Sequence, residues 1–431
     1  MKQKMKTGPL AGLKVLDLSR VLAGPWATQV LADFGADIWK IENPVGGDDT
    51  RQWGNSITPT NEPREDFSDD DAQPIDYCGN VTAYYLSANR GKHSLAVDIK
   101  TEQGQAIIKS LANKADVIVE NFKVGNLDQY GLDYSSLSQL NPKLVYCSIT
   151  GFGQTGPFAQ QAGYDAMIQA SAGLMSLTGE KDGSPQKVGV AVSDLMTGMY
   201  AVTAVLAALV HRDKTGQGQH IDLSLFDTQV GWLANQGVDY LTSGKIPKPQ
   251  GSIHPSIVPY QPIQCEDNSI MLAIGNNRQF ESCCKILGLT ELSSDERFST
   301  NNQRIDNHST LIFLLEKQFK TGSSQNWLEK LAAAEVPCGP INNLAQVFEH
   351  PQIKARSTQF SLHHPHLGDI PQIANPVKFS ESPINYTKAA PMLGEDTGKI
   401  LQQELNYSQN EINELKRLGI IEKGRDGRAH K

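Results

Sequence analysis

The most reactive-looking position in the 431-residue sequence is a single carboxylate, Asp194, set in an apolar stretch. It interrupts "KVGVAVSDLMTGMYAV", Lys187 to Val202. Before it, Val188, Val190 and Val192 alternate with small residues, the pattern of a buried strand. After it, "LMTGMYAVTAVLAALVHR" has helix length, helix-forming residues and no proline. Asp194 is therefore expected where a strand feeds a helix. Two roles suit that place. It is a helix N-cap, with a side-chain oxygen satisfying a first-turn N–H. Or it is a reactive carboxylate at the mouth of a parallel sheet, where α/β proteins put their chemistry. The local residues leave both open.

Other motifs are weaker. "GFGQTG", Gly151 to Gly156, fits GxGxxG and follows a strand. The dinucleotide fingerprint also needs the first strand of the fold and a helix opening at the third glycine. Here the motif comes late, and "GPFAQQAGYD" is short and interrupted by Gly163. A glycine-rich loop lining a ligand pocket fits better. "HHPH", His363 to His366, is broken by Pro365, has no matching acidic pair and reads as loop histidines, so no metal site is expected. The acidic segment 55–80 carries Glu62, Glu65, Asp66, Asp69, Asp70 and Asp71 with little to bury, and reads as a solvated loop. Nucleophile elbows, P-loops and HExxH are absent from the sequence.

Composition narrows the class. The net charge of −8 argues against nucleic acid or an acidic membrane surface as partner. The longest apolar run, Leu195 to Val210, contains Thr, Gly and Tyr and reads as a core helix, short of the roughly 18 uninterrupted residues of a membrane span. The lysines at the N-terminus have no apolar segment behind them, unlike a secretory signal. The cysteines Cys78, Cys147, Cys265, Cys283, Cys284 and Cys338 form no CxxC pair, which suits a reduced, cytoplasmic protein. Cys147, inside "KLVYCSIT", reads as core.

The elements that must carry Asp194 alternate. Strand signals in "LKVLDLS", "DIWKIENP", "HSLAVDI", "DVIVENF" and "PKLVYCSITGFG" are separated by helical "PWATQVLADFGA", "TEQGQAIIKSLANKA" and "YSSLSQLN". A helix over "YDAMIQASAGLMSLTG" and one more strand, with a helix from about Phe226, complete the series. This order predicts an α/β fold: a parallel-sheet, Rossmann-like large domain over residues 1–225. A linker over 226–257, rich in proline and glycine at its end, leads to a smaller α+β domain over 258–340. Residues 341–431 are expected to return to the large domain.

Several stretches taken together resemble a known family. They are "GLKVLDLSRVLAGPWATQVLADFGADIWKIENP", "NRGKHSLAVDIK", "DVIVENFKVGNLDQYGLDY", "NPKLVYCSITGFGQTGP", "AGYDAMIQASAGLMSLTG" and "GVAVSDLMTGMYAVTAVLAAL". They resemble the family III CoA-transferases (the CaiB/BaiF family) over essentially the whole chain. Later stretches such as "GSIHPSIVPYQPI" and "VPCGPINNLAQVFEHPQI" look most like its dicarboxylate-using branch. The resemblance implies transfer of CoA from an acyl-CoA such as succinyl-CoA to an acid such as glutarate or hydroxymethylglutarate. It implies CoA thioesters as substrates, no permanently bound cofactor, and an interlocked homodimer. It makes Asp194 the catalytic residue, passing through a mixed anhydride and an aspartyl-CoA thioester. The helix N-terminus is expected to keep Asp194 ionised and to offer free N–H groups to the oxyanion.

For CoA itself the resemblance points to Val21, Leu22 and Ala23 of "RVLAGP", Asn43, Val97, Lys100, Asn121, Phe122, Tyr164 and Asp165. Asn43 and Gln129 stand where relatives often carry basic residues. Arg20 and Arg51, which flank these segments, are the residues expected to grip the distal carboxylate of a dicarboxylate. The alternative within the family is an acyl-CoA racemase. That branch uses a histidine where this chain has Tyr164 and a glutamate near Asn277, so transfer is favoured.

Overall fold

The computed structural model describes residues 8–57 and 81–422. Most of the acidic segment and Cys78 lie outside the described residues. Six parallel strands form the main sheet: β1 (Lys14–Asp17), β2 (Asp37–Glu42), β3 (Lys92–Ala96), β4 (Val117–Glu120), β5 (Val145–Thr150) and β6 (Gln219–Ser224). Their order is β3-β2-β1-β4-β5-β6, the doubly wound order that reverses between β1 and β4. Central strands such as Val117–Glu120 and Val145–Thr150 are buried along their whole length, as sheets covered on both faces require.

Each face has its own core. On one, Leu16, Trp39, Ile41, Leu95, Ile118 and Tyr146 pack with Ile107, Ile108 and Leu111. These last three come from the helix Glu102–Ala112, which is capped by the Thr101 side chain on the Gly104 N–H. Ile400, Leu401 and Ile412, from the C-terminal helices Thr397–Leu405 and Gln409–Arg417, join the same core. On the other face, Val15, Ile38, Val119 and Cys147 pack with Val30 and Leu31 of α1 (Ala23–Asp33) and with Val202 and Val205. Cys147 is thus a core residue, and burial pushes its thiol up to about 12.

The helix that follows Asp194 corrects two expectations. It spans Val192–Thr215, so Asp194 lies inside its first turn and is not the N-cap, which is Ala191. Nor does a strand precede it. The Val188 N–H bonds the Gln169 side chain, Val192 N–H bonds Val190 O, and Val190 is exposed. Alternation alone predicted a strand here, but these groups find local and side-chain partners instead of a neighbouring ladder. The helix buries one stripe, Thr197, Gly198, Ala201, Val205 and Ala208, at helical spacing. It is also long and apolar enough to cross a membrane by length and composition, more than the count ending at Val210 anticipated. The helix expected over "YDAMIQASAGLMSLTG" is two, Asp165–Ser171 and Leu174–Leu177, broken at Gly173, whose φ is +92°. No helix opens after "GFGQTG".

The chain divides into two compact units. The first holds residues up to Gly173, Val188–Val238 and those from Arg356 on. The second holds Leu174–Lys187 and Asp239–Ala355. Residues 226–238, placed in a linker by the sequence, extend the helices Leu225–Gly231 and Ala234–Ser243. The second unit has an antiparallel sheet of Tyr260–Gln264, Ser269–Ala273 and Cys338–Pro340. Its core gathers Phe280, Cys283, Cys284, Phe298, Phe319 and Trp327. In the first unit, Gln359–His364 and Gly368–Ile373 form a hairpin. His363 and His364 of "HHPH" therefore end a strand, and His364 is buried.

Candidate active site

The C-terminal ends of the strands bring most of the expected residues to one edge. Arg20 to Ala23 follow β1, Asn43 follows β2, Val97 and Lys100 follow β3, and Asn121 and Phe122 follow β4. This is the edge where doubly wound sheets bind ligands, at the reversal between β1 and β4. The two loops that meet there are joined: Arg20 N–H donates to Asn121 Oδ1 at 3.0 Å, and Asn121 Nδ2 donates to Arg20 O at 2.7 Å. Asn43 and Lys100 are exposed, as is Gln129, while Leu22, Ala23 and Val97 are buried.

Asp194 reaches the same region through a close helix contact. A Cβ at Gly198, one turn further on, would stand 2.7 Å from Ala23 O, so only glycine lets this helix approach the start of α1 so closely. Tyr164 and Asp165 open the helix Asp165–Ser171, with Tyr164 exposed. The Asp165 carboxylate does not simply face solvent. Its Oδ1 accepts from Ser193 N–H at 2.8 Å and Asp194 N–H at 3.3 Å, and its Oδ2 accepts from Gln169 Nε2 at 2.7 Å. Asp165 therefore caps the helix that carries Asp194.

That arrangement overturns the electrostatic expectation for Asp194. The N–H groups of the first turn are all engaged: Val192 with Val190 O, Ser193 and Asp194 with Asp165, Leu195 with Ala191 O. None is free for an oxyanion, and none points at the Asp194 carboxylate. Burial, and then the neighbouring Asp165, push the Asp194 carboxyl up to about 7. No cation among the described residues counters them. Carboxyls raised toward neutrality by burial and a like charge are the kind that proteins use for acid–base or nucleophilic work.

Tyr84 was not singled out by the sequence. It belongs to the helix Ala83–Ala88, and its ring meets Trp53 edge-on at 5.4 Å. Burial, then Asp194, Asp165 and Asp48, push its hydroxyl up to about 12, so it remains a donor. Only the tertiary fold brings this tyrosine into the field of Asp194; "TAYYLSAN" carries no signal of it.

The arginines do not behave as expected of substrate grips. Arg51 is fully buried and bidentate on Glu42, with Nε–Oε2 and Nη2–Oε1 both 2.8 Å. Its Nη2 also donates to Tyr85 Oη and Pro391 O, and the guanidinium lies 3.8 Å over the Tyr85 ring. Glu42 already offsets its charge, and of its nitrogens only Nη1 is buried without a partner. Arg20 is exposed and pairs with Asp49 at 3.0 Å, a solvated contact.

A cavity of about 230 Å³ opens beside Phe122, lined by Glu120, Lys123, Tyr134, Tyr146, Ser148, Gln154 and His220. Ser148 Oγ and His220 Nε2 are 2.9 Å apart, and Tyr134 stacks on His220 at 5.1 Å. Burial pushes Glu120 up to about 7 against hydrogen bonds from Ser148 and the Phe122 N–H. Gln154 of "GFGQTG" thus lines a pocket, as a glycine-rich loop was expected to. Among the described residues no cluster of His, Cys, Asp and Glu has the make-up of a metal site.

Comparison with known proteins gives a consistent result. The profile of CoA-transferase family III matches residues 10–397. A succinate–glutarate CoA-transferase of Agrobacterium fabrum is 44% identical over 395 residues, covering 92% of this chain and 95% of that protein. The human succinyl-CoA:glutarate CoA-transferase is 41% identical over 414 residues, 96% of this chain and 90% of that one. A crystal structure of a CAIB/BAIF family protein from Brucella suis superimposes with a TM-score of 0.80 at 45% identity, covering 93% of this chain and all of that one.

Proposed function

Because the chain belongs to CoA-transferase family III, we propose that it transfers CoA from succinyl-CoA to a dicarboxylate, glutarate foremost. The observation that carries the reaction is the Asp194 carboxylate, with no cation among the described residues countering its raised pKa, at the edge where doubly wound sheets bind ligands. The substrate class is supported by the two relatives named for succinate or succinyl-CoA and glutarate.

The reaction runs through acyl exchange on one carboxylate. Asp194 attacks the succinyl-CoA carbonyl, the C–S bond breaks, and a mixed succinyl–aspartyl anhydride forms with CoA thiolate. The thiolate attacks the aspartyl carbonyl, releasing succinate and leaving an aspartyl-CoA thioester. Glutarate attacks that thioester and expels the thiolate again. The thiolate then takes the glutaryl group, giving glutaryl-CoA and restoring Asp194. Each step exchanges one activated acyl bond for another, so water must be kept away. The first-turn N–H groups are engaged by Asp165 and the backbone, so the tetrahedral oxyanion takes its donor from another segment. CoA enters and leaves as substrate, and the scheme needs no resident cofactor.

The same reading makes the protein an interlocked homodimer. Met199, Tyr200 and Val210 on the helix that carries Asp194, with Val230 and Trp232 at the end of the next helix, are exposed apolar side chains, and a second copy would cover them. Light scattering at the dimer mass, with no exchange into tagged subunits over hours, supports this; a monomer contradicts it.

The functional test offers glutarate, hydroxymethylglutarate, oxalate and pentanoate with succinyl-CoA, scored by mass spectrometry of the CoA products. Glutaryl-CoA should dominate. A preference for pentanoate, which lacks the distal carboxylate, defeats the dicarboxylate reading, and absence of all transfer defeats the enzyme.

A further inference from the structure

The turn after β1 is held in an unusual way. Val21 has φ +70°, a left-handed conformation that a β-branched residue rarely adopts without outside support. The support comes from side chains of three other segments. Ser19 N–H donates to Asp17 Oδ1 at 2.9 Å, and Ser19 O accepts from Lys40 Nζ at 2.8 Å. Arg20 N–H and Arg20 O are both taken by the Asn121 amide, at 3.0 and 2.7 Å. Val21 N–H donates to Asp48 Oδ1 at 3.2 Å. Every backbone donor and acceptor from Ser19 N to Val21 N is thus bonded to a side chain.

These clamps are themselves fixed. Lys40 Nζ pairs with Asp48 Oδ2 at 2.9 Å, and both side chains are fully buried. Asp48 Oδ1 also receives Thr50 N–H and Oγ1. Asp17 is held by Lys92 Nζ at 3.0 Å and Thr28 Oγ1 at 2.6 Å. Behind the turn, Ser19 packs so tightly on Gly24 that a Cβ there would lie 2.3 Å from Ser19 Oγ. Strained backbone held by its surroundings concentrates where a ligand is received.

We propose that Asn121 is a positioning residue which, with Asp48 and Lys40, locks Ser19–Val21 into the shape that receives CoA before CoA arrives. The inference rests on the CoA-transferase reading above. It changes the role expected of Asn121: with its amide oxygen and nitrogen both bonded to Arg20, it acts on CoA through the turn and not by contact. Preorganisation of this kind lowers the ordering cost of binding, so its loss appears in affinity for CoA esters and not in the chemical step.

The test compares wild type, Asn121→Ala, Val21→Gly and the double variant, each checked by thermal melting. Asn121→Ala frees both Arg20 groups at an accessible turn, so the fold survives. Its KM for succinyl-CoA should rise about 10-fold, the effect of two lost hydrogen bonds, with kcat and the KM for glutarate nearly unchanged. Hydrogen exchange across Ser19–Leu22, without CoA, should speed up. Glycine adopts φ +70° freely, so adding Val21→Gly to Asn121→Ala should recover most of the lost affinity. A direct contact from Asn121 to CoA gives no such recovery, and that result overturns the proposal. So does faster exchange with an unchanged KM, which marks the clamp as structural only. Calorimetry of CoA on the wild type separates the two claims. A wild type that binds no CoA defeats the transferase reading, whereas CoA binding that is equal in wild type and Asn121→Ala defeats the clamp alone.

Discussion

Two groups of buried charge sit on the same edge of the sheet and are treated in opposite ways. Under the turn after β1, Asp17, Glu42 and Asp48 face Lys92, Arg51 and Lys40. Burial alone would raise these carboxyls. The adjacent cations outweigh it: Asp17 and Glu42 are lowered, and Asp48 falls to about 2. Asp194 is half-buried, but its charged neighbour is another acid, and it rises to about 7. The first group uses charge to fix shape. The second leaves a carboxylate without a cation among the described residues, the condition that the proposed chemistry uses. Charge compensation, more than burial itself, separates the two groups here.

The largest way to sharpen this contrast is to remove the carboxylate proposed to react. Asp194→Ala should cut glutaryl-CoA formation by about four orders of magnitude or more, as losing a nucleophile does, while the protein melts as wild type does. Activity near wild type would make Asp194 a mere part of the helix start. On the scaffold side, Lys40→Met leaves Asp48 buried without its cation and should cost about 3–5 kcal/mol in denaturant unfolding. Adding Asp48→Leu removes the orphaned charge and should recover much of that loss.

The third prediction uses the opposite pH signs of the two groups. Asp48, lowered to about 2 in the fold, contributes stability above 3.8 that is lost as pH falls toward 2. Asp194, raised from 3.8 to about 7, does the reverse. Between those values the unfolded chain gives up its proton and the folded one keeps it, so stability falls as pH rises. Asp194→Asn should therefore be more stable than wild type by about 2–4 kcal/mol at pH 8, and equal to it below pH 4. Equal stability at both pH values would mean that Asp194 is not short of partners. The smallest effect is expected at Arg20. Its exposed pair with Asp49 should be worth less than about 0.5 kcal/mol, so Arg20→Met should melt like wild type.

The sequence made some of this legible because the signal was local. Continuous apolar runs such as "VIVE" and "VYCSIT" are strands buried on both faces, and their alternation with helices implied the parallel sheet. Asp194 stood out because a carboxylate inside a long apolar stretch needs a reason. What stayed hidden depends on distant partners. Arg51 looked available until Glu42, Tyr85 and Pro391 closed around it. The N–H groups before Asp194 looked free until Asp165 bonded them. The paired network did leave a trace: Lys40 in "DIWKIE" and Lys92 in "KHSLA" are lysines inside buried strands, a pattern that demands buried counter-charges. Which acids supply them only the fold reveals.

The central claim is that Asp194 itself carries the CoA. Its most direct test incubates the protein with succinyl-CoA and no acceptor acid, traps activated carboxyls with hydroxylamine, and maps the peptides by mass spectrometry. The account predicts a hydroxamate at Asp194, absent when free CoA replaces succinyl-CoA and absent from Asp194→Ala. Full turnover of glutarate with Asp194 never labelled would contradict it.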